Sequence, residues 1–167
     1  EELISTGSLS PMSYNATYRH YKDGSLDWHE TTFSTGSGEV NRKTDYQYTP
    51  RNMLDNVNET ITTPTDTKTI TTDYGYDLND NLNSISNGVD SISFGYNDRD
   101  LVESVTLGVG ANATSVSYTY DGNGNILTVT DHFGHQTVYS YDGYDRLMQV
   151  KDPLNNMTLL TLFDNGN

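Results

Sequence analysis

The sequence predicts an all-β chain of repeated antiparallel β-hairpins forming one continuous curved sheet, and three observations predict it. A unit made of an aromatic residue, any residue, Tyr-Asp, a Gly/Asn/Asp-rich turn and then an apolar residue recurs along the chain. The stretches between copies alternate apolar with polar residues and break at turn signals, Asn87-Gly88 the clearest of them. No stretch carries an extended helical period, while Tyr, Thr, Ser, Asn and Gly supply the residues of strands and turns.

The copies can be followed in order. "YRHYKDGSL" has His20 in the second aromatic place and Leu26 six positions later. "YQYTPRNML" follows with Tyr48 and Leu54, then "YGYDLNDNL" with Tyr76, Asp77 and Leu82. Next come "FGYNDRDLV" (Tyr96, Asn97, Val102), "YTYDGNGNI" (Tyr118, Tyr120, Asp121, Ile126) and "YSYDGYDRL" (Tyr139, Tyr141, Asp142, Leu147). "LTLFDNGN" opens a further copy, and the sequence stops inside it. Residues 1–17 therefore read as lead-in strands of an incomplete unit. Residues 18–167 form the array, with units beginning near 18, 46, 74, 94, 118 and 139 and a truncated one from about 160. A repeat of about 20 to 28 residues belongs to solenoids and related arrays.

Each part of the unit has a physical reason. Tyr118 and Tyr120 fall on one strand face because side chains alternate with period two. Asp121 starts the turn, where a short carboxylate reaches nearby backbone N–H groups. Gly122, Asn123 and Gly124 supply conformations closed to most residues, and Ile126, Leu127 and Val129 open the return strand. On the far side of the units, hairpins turn at Asp131 to Gly134 and Asp152 to Asn155, where Pro153 presets a turn φ. Longer units place their extra residues in loops at 34–40, 63–67 and 107–113, where insertions are cheap and strand register is untouched.

"YTYDGNGNILTVTDHFGHQTVYSYD" and "YSYDGYDRLMQVKDPLNNMT" resemble the YD repeats of the RHS family, most clearly from residue 73 onward. That family's unit runs Tyr-Asp, two residues, Gly-Arg or Gly-Asn, Leu, and later Asp-Pro and a further Tyr-Asp. The first two copies here lack the Asp, Asn97 replaces it in a third, and Asn155 stands where the family has Gly. The resemblance implies a long β-sheet winding into a hollow shell, as in bacterial RHS and toxin-complex proteins and in animal teneurins. In the bacterial members the shell encloses a toxic C-terminal domain, and the chain holds fewer repeats than a full shell takes. No residues here match the self-cleaving core region or a toxin domain, so those activities are not carried over. The resemblance implies a non-enzymatic structural segment of a secreted or cell-surface bacterial protein, extracellular in location. Its motif residues would be Tyr76, Asp77, Tyr96, Asn97, Tyr118, Tyr120, Asp121, Tyr139, Tyr141 and Asp142.

Composition narrows the partners. The chain has 167 residues, 33% of them apolar, 13 tyrosines, no cysteine and a net charge of −14. So acidic a chain repels phosphate backbones, which argues against nucleic acid. The missing cysteines exclude disulfides and thiolate metal sites, and no run is long and apolar enough for a membrane-spanning helix. Opening on "EELISTGSLS" without Met, the chain reads as a processed or excised piece. The expected partners are neighbouring repeats of a longer parent or identical copies in a fibre-like assembly, because cut sheet ends recruit strands.

Sites of chemistry are weak by comparison, and no cofactor, metal or catalytic residue is assigned. Asp121, Asn123 and Asn125, like Asp77, Asn79 and Asn81, place oxygens at alternate positions as a calcium loop does. Ile126 and Leu82 then occupy the place of its glycine, and turn chemistry accounts for both segments. His132 and His135 lack a third ligand nearby in sequence, and no nucleophile elbow appears. Trp28 in "LDWHETTF" is a candidate glycan contact, so an adhesion or carbohydrate-binding module using the tyrosine-lined sheet stands as the alternative reading. Sequons at Asn15, Asn58, Asn112 and Asn156, and the Thr-rich 59–73, match what composition alone produces.

Overall fold

The computed structural model describes residues 3–9, 12–35 and 38–160. It is all-β among these residues apart from one short 3₁₀ turn, Gly110–Asn112. Two compact units divide the chain, one of residues up to 75 with 85–89, the other of 76–84 with residues from 90 onward.

The first unit contains β1 (Leu3–Leu9), β2 (Met12–His20), β3 (Leu26–Thr35), β4 (Gly38–Tyr48), β5 (Leu54–Thr62) and β6, which begins at Thr67 and ends at Tyr76. Each strand is antiparallel to the next, so spatial order is chain order. β3 and β4 stay paired as far as Thr35↔Gly38, so most of the stretch read as a loop at 34–40 is strand. β7 (Leu82–Ser86) straddles the two units. Its connection onward is a four-residue loop, Asn87 to Asp90, in which Gly88 takes the positive φ of 82° and Asn87 Oδ1 accepts the Val89 N–H.

The second unit continues with β8 (Ser91–Tyr96), β9 (Val102–Leu107), β10 (Thr114–Tyr120), β11 (Ile126–Thr130), β12 (Gln136–Tyr141), β13 (Leu147–Lys151) and β14 (Met157–Leu159). These too are antiparallel neighbours in chain order. The last copy, "FDNGN", lies outside the described residues.

A register shift recurs in the motif hairpins. Tyr120 pairs with Ile126 but Thr119 pairs with Thr128, which leaves Leu127 as an extra residue. The same bulge stands at Asp27, Asp55, Glu103 and Met148. A one-residue bulge locally bends and twists its strand. It also turns a spacing of three into a shared face: Ile126 and Val129 both lie opposite tyrosines, as do Leu147 and Val150 and also Leu54 and Val57.

Burial is shallow. Among the described residues only Ala16 and Asp27 are buried, and no large side chain is fully enclosed. The paired tyrosines Tyr118, Tyr120, Tyr139 and Tyr141 are half-buried. Neighbouring strands, rather than a packed second layer, supply their contacts. Polar bonds therefore carry an unusual share of the specificity, and they concentrate at the turns.

Candidate functional site

The motif turn is a five-residue loop with one design. In the copy at 121–125, the Asp121 N–H donates to the Asn125 carbonyl at 2.9 Å and the Gly124 N–H to the Asp121 carbonyl at 3.3 Å. Asp121 Oδ1 accepts the backbone N–H groups of Asn123 and Asn125, both at 2.9 Å, while Oδ2 accepts the Asn125 side-chain amide at 3.0 Å. One carboxylate thus satisfies two backbone donors and one side chain. The copies at Asp77 and Asp142 repeat this, with Asn81 and Arg146 as the side-chain donors.

The hairpins at Asp131 and Asp152 adopt the same loop, with His135 and Asn156 in the donor place. Asn97 has a single oxygen, which takes the Arg99 and Leu101 N–H groups, and the fifth residue of that copy is the apolar Leu101. The second oxygen of Asp and a donor five residues into the loop go together.

The fourth turn position needs a left-handed backbone. It is held by Gly24, Asn52, Asp80, Asp100, Gly124, Gly134, Asp145 and Asn155, with φ from 58° to 94°. Gly, Asn and Asp are the residues that tolerate this region, which is why Asn155 stands in for glycine.

Hydrogen bonds hold several turn carboxyls below their ordinary range. For Asp121 and Asp152 the largest cause is the side-chain amide of Asn125 or Asn156. For Asp131 and Asp142 partial burial pulls upward most strongly, and the bonds from His135 and Phe133, or from Arg146 and Tyr144, together outweigh it.

Successive turns of the second unit are laced to one another. Asn79 and Asn81 both donate to Asp100 Oδ1 at 2.8 Å. Two copies later Asn123 and Asn125 both donate to Asp145 Oδ1, at 2.8 and 2.7 Å. Between these rungs, where the next turn has Gly124 at the fourth position, Arg99 reaches the backbone carbonyls of Asp121 and Gly122 at 2.7 and 2.9 Å. The rule is amide donors at positions three and five, answered by Asp at position four of the next turn.

A second link runs through the tyrosines. Tyr48 donates to the Leu26 carbonyl at 3.1 Å, Tyr96 to that of Leu82 at 2.8 Å and Tyr120 to that of Val102 at 2.5 Å. Each acceptor is the apolar motif residue of the preceding copy. Burial raises the phenol pKa of Tyr120 and of Tyr141. Tyr141 pairs with Leu147, Tyr118 with Val129 and Tyr139 with Val150, while Tyr76 closes β6.

The remaining candidates are placed as follows. Of the groups that resembled calcium ligands, Asp121 has both oxygens engaged within its own turn, and Asn123 and Asn125 turn their amide nitrogens to the Asp121 and Asp145 carboxylates. His135 Nδ1 lies 3.0 Å from Asp131 Oδ2, and His132 packs on Phe133 with ring centroids 3.7 Å apart. Among the described residues no group of three or more His, Cys, Asp or Glu is placed to hold a metal ion. Trp28 carries Arg19 and Lys43 over its ring, at 5.7 and 5.5 Å.

Residues 120–157 match the RHS Repeat family. No curated protein matches the sequence. Among solved structures, the fold resembles the crystal structure of TcdB2-TccC3-TEV with a TM-score of 0.65 and 14% identity, over 92% of this chain and 9% of that one. It resembles the Tc holotoxin pore of Photorhabdus luminescens equally, at TM-score 0.65 and 15% identity, again over 92% of this chain and 9% of that one. At such identity the likeness is one of fold. The chain spans less than a tenth of the length of these two structures' chains.

Proposed function

We propose that this chain, built of RHS repeats, is a non-enzymatic wall segment of a longer secreted or cell-surface bacterial protein, in which the β-sheet encloses another part of the polypeptide. One observation carries the reading. Recurring polar groups of the second unit, the Asp100 and Asp145 carboxylates and the Tyr96 and Tyr120 hydroxyls, are engaged with neighbouring copies. Bonds of this kind hold repeat to repeat, as nearest-neighbour terms do in repeat arrays. The half-exposed tyrosine face suits a wall, since a sheet with one apolar face is completed by whatever it encloses. The fold likeness to the much longer Tc structures supports the same reading.

Limited proteolysis of the parent-length protein tests it. Cleavage is expected at exposed loops such as 107–113, while the segment that the wall encloses resists protease until the repeats are unfolded. Digestion of every segment outside the repeats at the rate of free polypeptide would refute enclosure.

A further inference from the structure

Several cations of this chain have partners that account for them. Arg19 reaches Asp27, Lys43 reaches Asp45 at 2.6 Å and Arg146 reaches Asp142 at 2.7 Å. Arg42 and Lys68 differ: among the described residues, neither side chain meets a carboxylate or another acceptor. In a chain with 23 acidic and 9 basic residues, two cations without a carboxylate partner call for a reason. Register brings them together. Arg42 stands opposite Ile61, and Ile61 opposite Lys68, across β4, β5 and β6. Directly opposite residues share a sheet face, so the two cations flank Ile61, about 9–10 Å apart at the backbone.

A groove of about 340 Å³ lies over this row, within the size range of small-molecule sites. On one side of the row the same register aligns Glu59 with Ile70. On the other side Phe33 stands opposite Val40. Ile61 and Ile70 are 39% and 40% exposed, so open apolar surface lies beside the two cations. Neighbouring rings hold the groove's aromatic lining before any ligand arrives. Tyr14 packs on Phe33 with centroids 5.3 Å apart, and the Tyr46 hydroxyl lies 3.4 Å from His29 Nδ1.

We propose that this groove binds a small amphipathic carboxylate, of the class of a medium-chain fatty acid anion. The carboxylate sits between Arg42, whose planar fork can take both oxygens, and Lys68. The hydrocarbon covers Ile61 and Phe33. Glu59 narrows the class, because a second negative charge on the ligand would meet it in the adjacent row. The ligand therefore carries one charged head and an uncharged body that leads away from Glu59 toward Phe33. Inorganic phosphate answers the cations but leaves the isoleucines in water. A neutral apolar molecule covers the isoleucines but takes water from the cations and returns no hydrogen bonds. Lys43 also lines the groove, but Asp45 holds it, and it is given no part in binding.

The test is a titration of the isotopically labelled 167-residue chain with octanoate, followed by amide chemical shifts. Saturable shifts confined to residues 31–33, 40–44, 59–61 and 68–70 are expected. Octanamide, which keeps the chain and loses the charge, and acetate, which keeps the charge and loses the chain, should each bind at least about tenfold more weakly, the effect of about 1.4 kcal/mol. The paired substitution Arg42→Gln with Lys68→Gln should weaken octanoate by the same factor and leave octanamide unchanged. Both side chains are exposed, so the fold should be kept, and unchanged shifts in the second unit report that it is. The proposal is overturned if octanoate gives no saturable shifts there or if the paired variant folds and binds it like the parent. It is equally overturned if octanamide matches octanoate, which would leave only an apolar patch, or if inorganic phosphate does, which would leave only two surface cations.

Discussion

Replacing Tyr120 by Phe removes one oxygen and leaves the ring, so it isolates the link between copies. The hydroxyl donates to the Val102 carbonyl at 2.5 Å, across a sequence separation of 18. A hydrogen bond of this kind contributes about 1 kcal/mol net, and a fully buried orphaned carbonyl would cost more. Tyr120 is only half-buried, so water can reach the freed carbonyl and the cost should stay near about 1 kcal/mol.

Tyr118 supplies the control. It lies two residues away on the same face, pairs with Val129, and its hydroxyl makes no hydrogen bond among the described residues. Tyr118→Phe should therefore change stability by less than about 0.5 kcal/mol. Urea titration followed by circular dichroism measures both, the midpoint moving at unchanged slope. Tyr48→Phe and Tyr96→Phe break the equivalent bonds to Leu26 and Leu82, and distant sites add, so the triple variant should lose about 3 kcal/mol. Equal losses for Tyr118→Phe and Tyr120→Phe would mean that the phenol ring's surroundings, and not the bond to the preceding copy, set the cost.

Asp145 sits at φ 59° and accepts two amides from the preceding turn. Asp145→Ala should be worse than Asp145→Asn, because alanine tolerates the left-handed backbone poorly, and a double-mutant cycle with Asn125→Ala should show a coupling of about 0.5–1 kcal/mol. Bonds hold the Asp121 and Asp152 carboxyls below their ordinary range, so between the folded and unfolded values the unfolded chain binds more protons. Stability should be full above the ordinary carboxylate pKa and fall as pH drops through the depressed folded values. A urea midpoint flat from pH 6 to about 3 would contradict this. Gly95 lies opposite Ser104, whose hydroxyl a new Cβ would strike. Gly95→Ala should cost about 1 kcal/mol as the serine leaves its rotamer, and adding Ser104→Ala should recover most of it in the same titration.

The sequence by itself determined the hairpin array and the five-residue turn, because every bond within that turn joins residues at most four apart. Tyr120, Asp121, Gly124 and Ile126 stand at the positions the loop needs whatever lies beside it. The recurring bulge was also written there, as apolar pairs three apart such as Leu54 and Val57 or Ile126 and Val129. A period-two reading passes over it, since an extra residue shows only when the partner strand is counted.

What only the tertiary structure decided is how one copy meets the next. Asn123 and Asp145 are 22 residues apart, and nothing local says that an amide at position three will face a carboxylate at position four of another turn. The same holds for the tyrosine hydroxyls, whose acceptors lie 14 to 22 residues away. The depth of burial, too, was not legible. Alternation marks the face that the tyrosines share, but whether that face is covered depends on what packs against it, and these strands leave it half open.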